Sequence, residues 1–117
     1  MSNDEQPEVD VGAALGASDA TSPQVLTLYI PNKDCEGNEF GSQRKWVLEA
    51  AALLAEFGGG VTVMPACEGG WWNESSRTLI WEAPVLVYTY IKDDAFLRGL
   101  PRLRTFLHRL GRETRQG

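Results

Sequence analysis

The chain has 117 residues and a mass of 12.9 kDa, which suits one compact domain. With 43% hydrophobic residues, four Trp, four Phe and three Tyr, its composition is globular and excludes disorder of the whole chain. No apolar run approaches the roughly 20 residues that a transmembrane helix requires, so we do not expect the chain to be an integral membrane protein. The net charge of -5 comes from the first 24 residues, because the rest of the chain carries 11 acidic and 11 basic side chains.

Residues 1–24 differ in composition from everything that follows. They are rich in Ser, Asp, Gly, Ala and Pro, and they include no aromatic residue. Such a segment buries too little surface to offset its ordering entropy, so we predict a flexible acidic tail over 1–24 and a single domain over 25–117. The start of the chain has neither a basic region nor a continuous apolar core, so we expect no secretory signal and a cytoplasmic protein with reduced cysteines.

The first half of the domain predicts a strand, a helix and a second strand. Val25–Ile30 is apolar and β-branched, and a proline follows it, which indicates a strand. A helix is expected from an N-cap at Ser42 to about Phe57, ended by three glycines. Val61–Met64 then predicts the second strand. The apolar stripe of this helix has helical spacing and consists of Trp46, Val47, Ala50, Leu53, Leu54 and Phe57.

The second half predicts a long connection, a long strand and a final helix. Pro65 to Arg77 is expected to be the connection and Thr78 to Ile91 the strand, with a bulge or break near Glu82–Pro84 because proline cannot donate a ladder hydrogen bond. Asp93 or Asp94 is expected to cap the helix, and Gly99–Pro101 to kink or restart it. The apolar stripe of the helix consists of Leu97, Leu100, Leu103, Phe106, Leu107 and Leu110.

The resulting order is β-α-β-β-α, an α+β fold. We predict a truncated ferredoxin-like antiparallel sheet with two helices on one face and the long strand between the first and second strands. The complete unit would add a fourth strand beside Val25–Ile30, which this sequence lacks. An open sheet edge invites pairing, so we expect a second copy of the chain or the N-terminal tail to cover it.

Part of the domain resembles small bacterial domains of unknown function. Those domains are βαββαβ units with a glycine–threonine turn into the second strand and a Gly-Trp segment in the hairpin. The resemblance implies the fold and transfers no catalytic residues, and the missing last strand is where this chain departs from the pattern. It extends over roughly residues 25–116 and is carried by Phe57–Val63, Gly69-Gly70-Trp71, Glu82, Val85 and Val87.

Two acidic loops that contain a cysteine are the weak candidates for a catalytic site. Cys35 and Glu36 follow the first strand, and Cys67 and Glu68 follow the second. Both strands of a βαβ unit point the same way, so the two loops leave the same end of the sheet and could form one pocket. The simpler interpretation makes Cys67 a small buried hydrophobic residue and places Cys35 in a polar turn.

The remaining ionisable residues give little support for catalysis or metal binding. His108 is expected to be a surface residue on a basic helix face rather than a general base. Two cysteines without CxxC spacing and one histidine do not predict a zinc site, and nothing in the sequence indicates a cofactor. Glu82, inside an apolar strand, is expected either on an exposed face or held by an arginine such as Arg77.

The last helix is rich in arginine and offers a binding surface. An acidic protein partner fits this surface, whereas the neutral body of the chain argues against nucleic acid. A solvated helix face, partly neutralised by the body and by the acidic tail, is the alternative. The arginines are Arg98, Arg102, Arg104, Arg109, Arg112 and Arg115, of which Arg102, Arg109 and Arg112 are the binding candidates.

Trp71 and Trp72, in a glycine-flanked loop, give the strongest binding signal. Consecutive residues of an extended chain face opposite ways, so one tryptophan is expected to pack inward and the other to anchor an interface, unless both cover the small core. Three hypotheses therefore stand. They are a binding module that self-associates through its sheet, a small enzyme with a Cys/Glu site, and an acidic-partner or nucleic-acid binder that uses the last helix.

Overall fold

The computed structural model describes residues 24–117. The acidic tail predicted over 1–24 lies outside the described residues, apart from Gln24. The elements are β1 (Gln24–Ile30), α1 (Gln43–Gly58), β2 (Thr62–Val63), β3 (Gly69–Asn73), β4 (Thr78–Glu82), β5 (Val85–Ile91) and α2 (Asp93–Glu113). The fold is α+β with antiparallel sheets, as the sequence predicts.

A three-stranded sheet with the order β1-β5-β2 forms the centre of the domain. β5 runs antiparallel to both neighbours, with Ile30 opposite Val85 and Thr62 opposite Tyr88. The last long strand therefore lies between the first two, as predicted. Within the described residues β1 pairs only with β5, so its other edge has no strand beside it.

The core lies on one face of this sheet, beneath both helices. Alternate residues of β1 and β5 point inward, and the rings of Trp46 on α1 and Phe106 on α2 meet edge to face with centroids 5.9 Å apart. This arrangement confirms the prediction of two helices on one face. Within residues 24–117, neither helix combines the length and apolarity needed to cross a membrane. The buried cluster consists of Leu28, Ile30, Trp46, Val47, Ala50, Leu53, Leu54, Val85, Val87, Leu103, Phe106 and Leu110.

A separate two-stranded hairpin replaces part of the predicted long strand. The chain breaks at Ala83 and Pro84, as expected, but the residues before the break pair with β3 and not with the central sheet. The prediction of a long connection from Pro65 to Arg77 was therefore wrong over Gly69–Asn73, which forms β3. Gly69 and Gly70 lower strand propensity whereas the two tryptophans raise it, so the pairing with Thr78–Glu82 decides that this segment forms a strand.

The helix ends differ from the sequence prediction in three details. Ser42 occupies the N-cap position of α1, but its side chain makes no capping hydrogen bond. The N-cap of α2 is Lys92, and Asp93 and Asp94 follow it in the first turn of the helix. The predicted restart at Gly99–Pro101 was wrong, because α2 continues through Pro101 and keeps its buried stripe on both sides of it.

Candidate functional site

The β3–β4 hairpin presents large apolar side chains on both of its faces. Its register sets Trp72 opposite Leu79, with Trp81 two positions further along the same face, while Trp71 lies opposite Ile80 on the other face. Trp72 and Trp81 are 50% and 57% exposed, and even Trp71 is 37% exposed. The structure therefore places the two consecutive tryptophans on opposite faces, and both remain accessible.

Three contacts hold the base of the hairpin against the sheet. Lys33 Nζ donates a hydrogen bond to the Trp81 carbonyl at 2.9 Å, and the Ala83 amide donates to Asn32 Oδ1 at 2.9 Å. Gly69 allows the third, because a Cβ there would lie 3.2 Å from Pro84 and 3.3 Å from the hydroxyl oxygen of Tyr29. The remainder of the hairpin makes few contacts with the body, and an isolated two-stranded hairpin is only marginally stable in water.

Glu82, the acidic residue whose place in an apolar strand needed explaining, faces Tyr29. Burial, a hydrogen bond with Glu82 and the negative charge of that carboxylate raise the pKa of Tyr29 to about 12. Arg77 instead lies in the hairpin turn with a φ of 53°, and it makes no ion pair among the described residues. The partner of Glu82 is therefore a phenol and not an arginine.

The face of the three-stranded sheet opposite the helices forms a second apolar surface, here called the open face. Val25 lies opposite Tyr90, and Tyr29 lies opposite Leu86. Both tyrosines are about half exposed, at 49% and 58%, and Met64 is exposed beside Leu86. Because Tyr29 also lies against Gly69 and Glu82, the open face is continuous with the hairpin face that carries Trp71.

The two cysteine loops leave the same end of the sheet, as predicted from the strand order, but their cysteines contact different elements. The Cys35 amide donates to the Arg115 carbonyl at 2.9 Å, at the end of α2. The Cys67 amide donates to the Pro84 carbonyl at 2.9 Å, and its sulfur lies 3.4 Å from the same oxygen. Both thiols are free and exposed, so the expectation that Cys67 is buried was wrong.

The carboxylates of these loops do not complete a catalytic arrangement. Glu36 and Glu68 are both exposed, and no hydrogen bond joins either carboxylate to a thiol within the part of the chain that the structure describes. Within residues 24–117, no group of three or more His, Cys, Asp or Glu side chains is placed to hold a metal ion.

Three of the six arginines in α2 and the residues after it form ion pairs with carboxylates of the same domain. Arg102 pairs with Glu56 at 2.8 Å and Arg109 with Glu49 at 2.7 Å, so two of the three predicted binding arginines bridge the helices. Arg98 pairs with Asp94, one turn before it. The other three arginines have no carboxylate oxygen within 4.0 Å among residues 24–117, and they are Arg104, Arg112 and Arg115.

The C-terminal end of α2 and the loop after β1 enclose a shallow cavity of about 530 Å³, here called the basic concavity. His108 lines it together with Cys35, although no hydrogen bond joins the two among the described residues. Sequence reasoning missed this cavity because its two sides lie far apart along the chain. Its lining consists of Cys35, Leu107, His108, Gly111, Arg112, Arg115 and Gly117.

Comparisons with known proteins name no relative for this arrangement. A scan of protein families, a search of curated proteins and a search of solved structures each gave no match.

Proposed function

We propose that the protein is a binding module that self-associates through its open face and its hairpin. One observation carries the proposal: the open face and both faces of the hairpin expose a series of aromatic and aliphatic side chains. Trp72, Trp81 and Tyr90 are each at least half exposed and belong to this series. Exposed apolar patches of this extent mark interaction sites, and aromatic residues are enriched at the centres of interfaces.

The exposed apolar area of the open face and the hairpin approaches that of a standard dimer interface. Five aromatic side chains of the open face and of the two hairpin faces are 37–58% exposed, namely Tyr29, Trp71, Trp72, Trp81 and Tyr90. Since a large aromatic side chain presents about 150–250 Å², these five leave about 500 Å² accessible. Three aliphatic side chains add to this area, and they are Val25, Met64 and Leu79. A standard interface buries about 800 Å² of each partner, so these side chains would supply most of that area and the free edge of β1 would add to it.

The free edge of β1 supports self-association as well. Its unpaired backbone groups border the open face, and charged side chains, which commonly protect such edges, are absent from Gln24–Ile30. A two-fold arrangement would let the edge and the apolar surface be covered together. The exposed free thiols of Cys35 and Cys67 support the proposal that the chain resides in the reducing cytoplasm.

Size-exclusion chromatography with light scattering tests the proposal. At tens of micromolar the chain is expected to elute with twice its 12.9 kDa mass, and the Trp72→Ser/Trp81→Ser variant with the mass of a monomer. The matched control is Leu48→Ser/Leu97→Ser, which removes two exposed apolar side chains from the helices and should remain a dimer. A monomeric parent chain would overturn the proposal, and so would loss of the dimer in the control alone.

A further inference from the structure

The basic concavity carries two arginines that form no ion pair within the described domain. Arg112 and Arg115 line it without a carboxylate oxygen within 4.0 Å among residues 24–117. Beside them Leu107 is 40% exposed, so the site combines cationic groups with an apolar side chain. Its chemistry suits an acidic segment that also carries a few apolar residues.

Asp34, the carboxylate whose pKa is lowered by the charge of Arg115, is already engaged in its own loop. Asp34 Oδ1 accepts hydrogen bonds from the amides of Glu36 and Asn38, each at 2.9 Å. The hydrogen bond from Asn38 contributes most to lowering the pKa of Asp34, and the positive charge of Arg115 contributes less. Asp34 thus stabilises the turn beside Cys35 and leaves the concavity able to accept a further anionic group.

We propose that the acidic segment at residues 4–11 of the same chain occupies the basic concavity. This segment reads Asp-Glu-Gln-Pro-Glu-Val-Asp-Val, with four acidic side chains and no basic one. Its negative charge complements the positive charge of Arg112 and Arg115, and its two valines would make apolar contacts with Leu107. The surface is thus reserved for the chain itself, which distinguishes this proposal from binding of an external acidic protein or a nucleic acid.

The length of the intervening chain fits this assignment. Gln24 lies beside Phe96 near the start of α2, and Arg112 lies 16 residues further along that helix, which corresponds to about 24 Å at 1.5 Å per residue. Asp10 precedes Gln24 by 14 residues, which span about 46 Å when extended and on average about 21 Å as a flexible chain. A tether of that length gives an effective concentration in the millimolar range, so a weak contact suffices.

The thiol of Cys35 provides a native probe inside the concavity. In a full-length Cys67→Ser chain, Cys35 is the one thiol, and its rate of modification is measured with dianionic 5,5′-dithiobis(2-nitrobenzoate) and with neutral iodoacetamide. The Glu5→Gln/Glu8→Gln/Asp10→Asn variant is expected to raise the ratio of the anionic to the neutral rate at least about threefold at low salt, because three nearby negative charges are removed. The difference should vanish in about 1 M NaCl, where the Debye length is about 3 Å.

Matched variants distinguish occupancy of the basic concavity by residues 4–11 from a general effect of removing negative charge. Asp19→Asn/Glu68→Gln/Glu74→Gln removes the same charge elsewhere and should leave the ratio nearly unchanged. In an Arg112→Gln/Arg115→Gln chain, the substitutions at Glu5, Glu8 and Asp10 should leave the ratio of the anionic to the neutral rate unchanged. An equal rise in the control, or a rise that persists without the two arginines, overturns the proposal.

Dilution and added ligands test the alternative occupants. The ratio should not change with protein concentration when the segment belongs to the same chain, so a concentration dependence assigns the site to another copy and overturns the proposal. A short single-stranded DNA is the probe for a nucleic-acid site. If it slows Cys35 modification equally in the parent and in the Glu5→Gln/Glu8→Gln/Asp10→Asn variant, the acidic segment does not occupy the concavity.

Discussion

The phenol of Tyr29 on β1 lies beside the carboxylate of Glu82 at the end of β4, where the three-stranded sheet meets the hairpin. The contact lies where the open face meets the base of the hairpin, beside the backbone of Gly69. It therefore adds to the contacts of Lys33 and Asn32 that hold the base of the hairpin against the body.

The Tyr29–Glu82 contact predicts a loss of stability at alkaline pH. The pKa of Tyr29 is about 12 in the folded chain against 10.0 for an ordinary tyrosine, so folding favours the neutral phenol. The stabilisation is complete below pH 10 and is lost as the pH rises to about 12. Urea unfolding across this range should show a smaller decline for Tyr29→Phe than for the parent. Spectroscopic titration should show a lower Tyr29 pKa in Glu82→Gln, and an unchanged pKa would contradict the contact.

The end of α1 provides a prediction about packing. A Cβ at Gly58 would overlap the Thr89 hydroxyl and lie 2.6 Å from the Tyr90 carbonyl oxygen, whereas a Cβ at Gly60 would meet nothing within 4 Å. We expect Gly58→Ala to destabilise the fold by about 1–3 kcal/mol, because backbone atoms of β5 must shift. Gly60→Ala is the matched control and should change the unfolding midpoint little. Equal effects of the two substitutions would show that α1 does not approach β5 this closely.

The elements that the sequence predicted well are those whose pattern is local. The stripe of α1 repeats at helical spacing, and Trp46 and Leu54 are both fully buried where that spacing places them. The central position of β5 followed from the order of elements, because a crossover helix leaves room for a strand between the first two. Pro84 marked the break because its missing amide is visible in the sequence itself.

The elements that the sequence did not reveal depend on pairing between distant residues. Gly69–Asn73 is extended because it pairs with Thr78–Glu82, and glycines give no local signal of that. The basic concavity forms because the backbone amide of Cys35 donates a hydrogen bond to the carbonyl of Arg115, although the two residues lie 80 positions apart in the sequence. Which arginines remain without a carboxylate likewise depends on how α1 packs against α2.

The pairing of Arg109 with Glu49 predicts a measurable coupling between the two helices. Arg109 Nη1 and Nη2 lie 2.7 and 3.1 Å from the two carboxylate oxygens, and the guanidinium also lies over the ring of Trp46, 5.2 Å from its centroid. A two-point contact of partly buried groups holds its geometry better than an exposed pair. We expect a double-mutant cycle of Arg109→Ala and Glu49→Ala to show a favourable coupling that decreases with added salt.

The matched comparison is the pair Arg98–Asp94 on the same helix. Its side chains are both 72% exposed and joined by a single contact of 3.1 Å, so its coupling should be the weaker of the two. Arg109→Lys should lose most of the coupling, because an ammonium group cannot make the two-point contact. A larger coupling for Arg98–Asp94 would show that Glu49 and Arg109 do not bridge the helices in solution.

The direction of the backbone groups in β1 follows from one hydrogen bond on the other side of β5. The Met64 amide donates to the Leu86 carbonyl at 2.9 Å, so Leu86 directs its backbone groups away from β1. Backbone direction alternates along a strand, so Val85 and Val87 direct theirs toward β1. In β1 the residues opposite these two are Ile30 and Leu28, whose amides therefore bond to β5. The amides of Val25, Thr27 and Tyr29 alternate with these along β1 and therefore point to its free edge.

Hydrogen exchange at these three amides tests whether the edge of β1 is covered. If a second copy pairs along it, Val25, Thr27 and Tyr29 should exchange nearly as slowly as Leu28 and its neighbours, because amide protection follows hydrogen bonding and burial. The Trp72→Ser/Trp81→Ser variant should lose that protection while the amides that bond to β5 keep theirs. Rapid exchange at the three amides in the parent chain would show an open edge and confine self-association to side chains. Slow exchange that persists in a monomeric variant would assign the cover to residues 1–23 of the same chain.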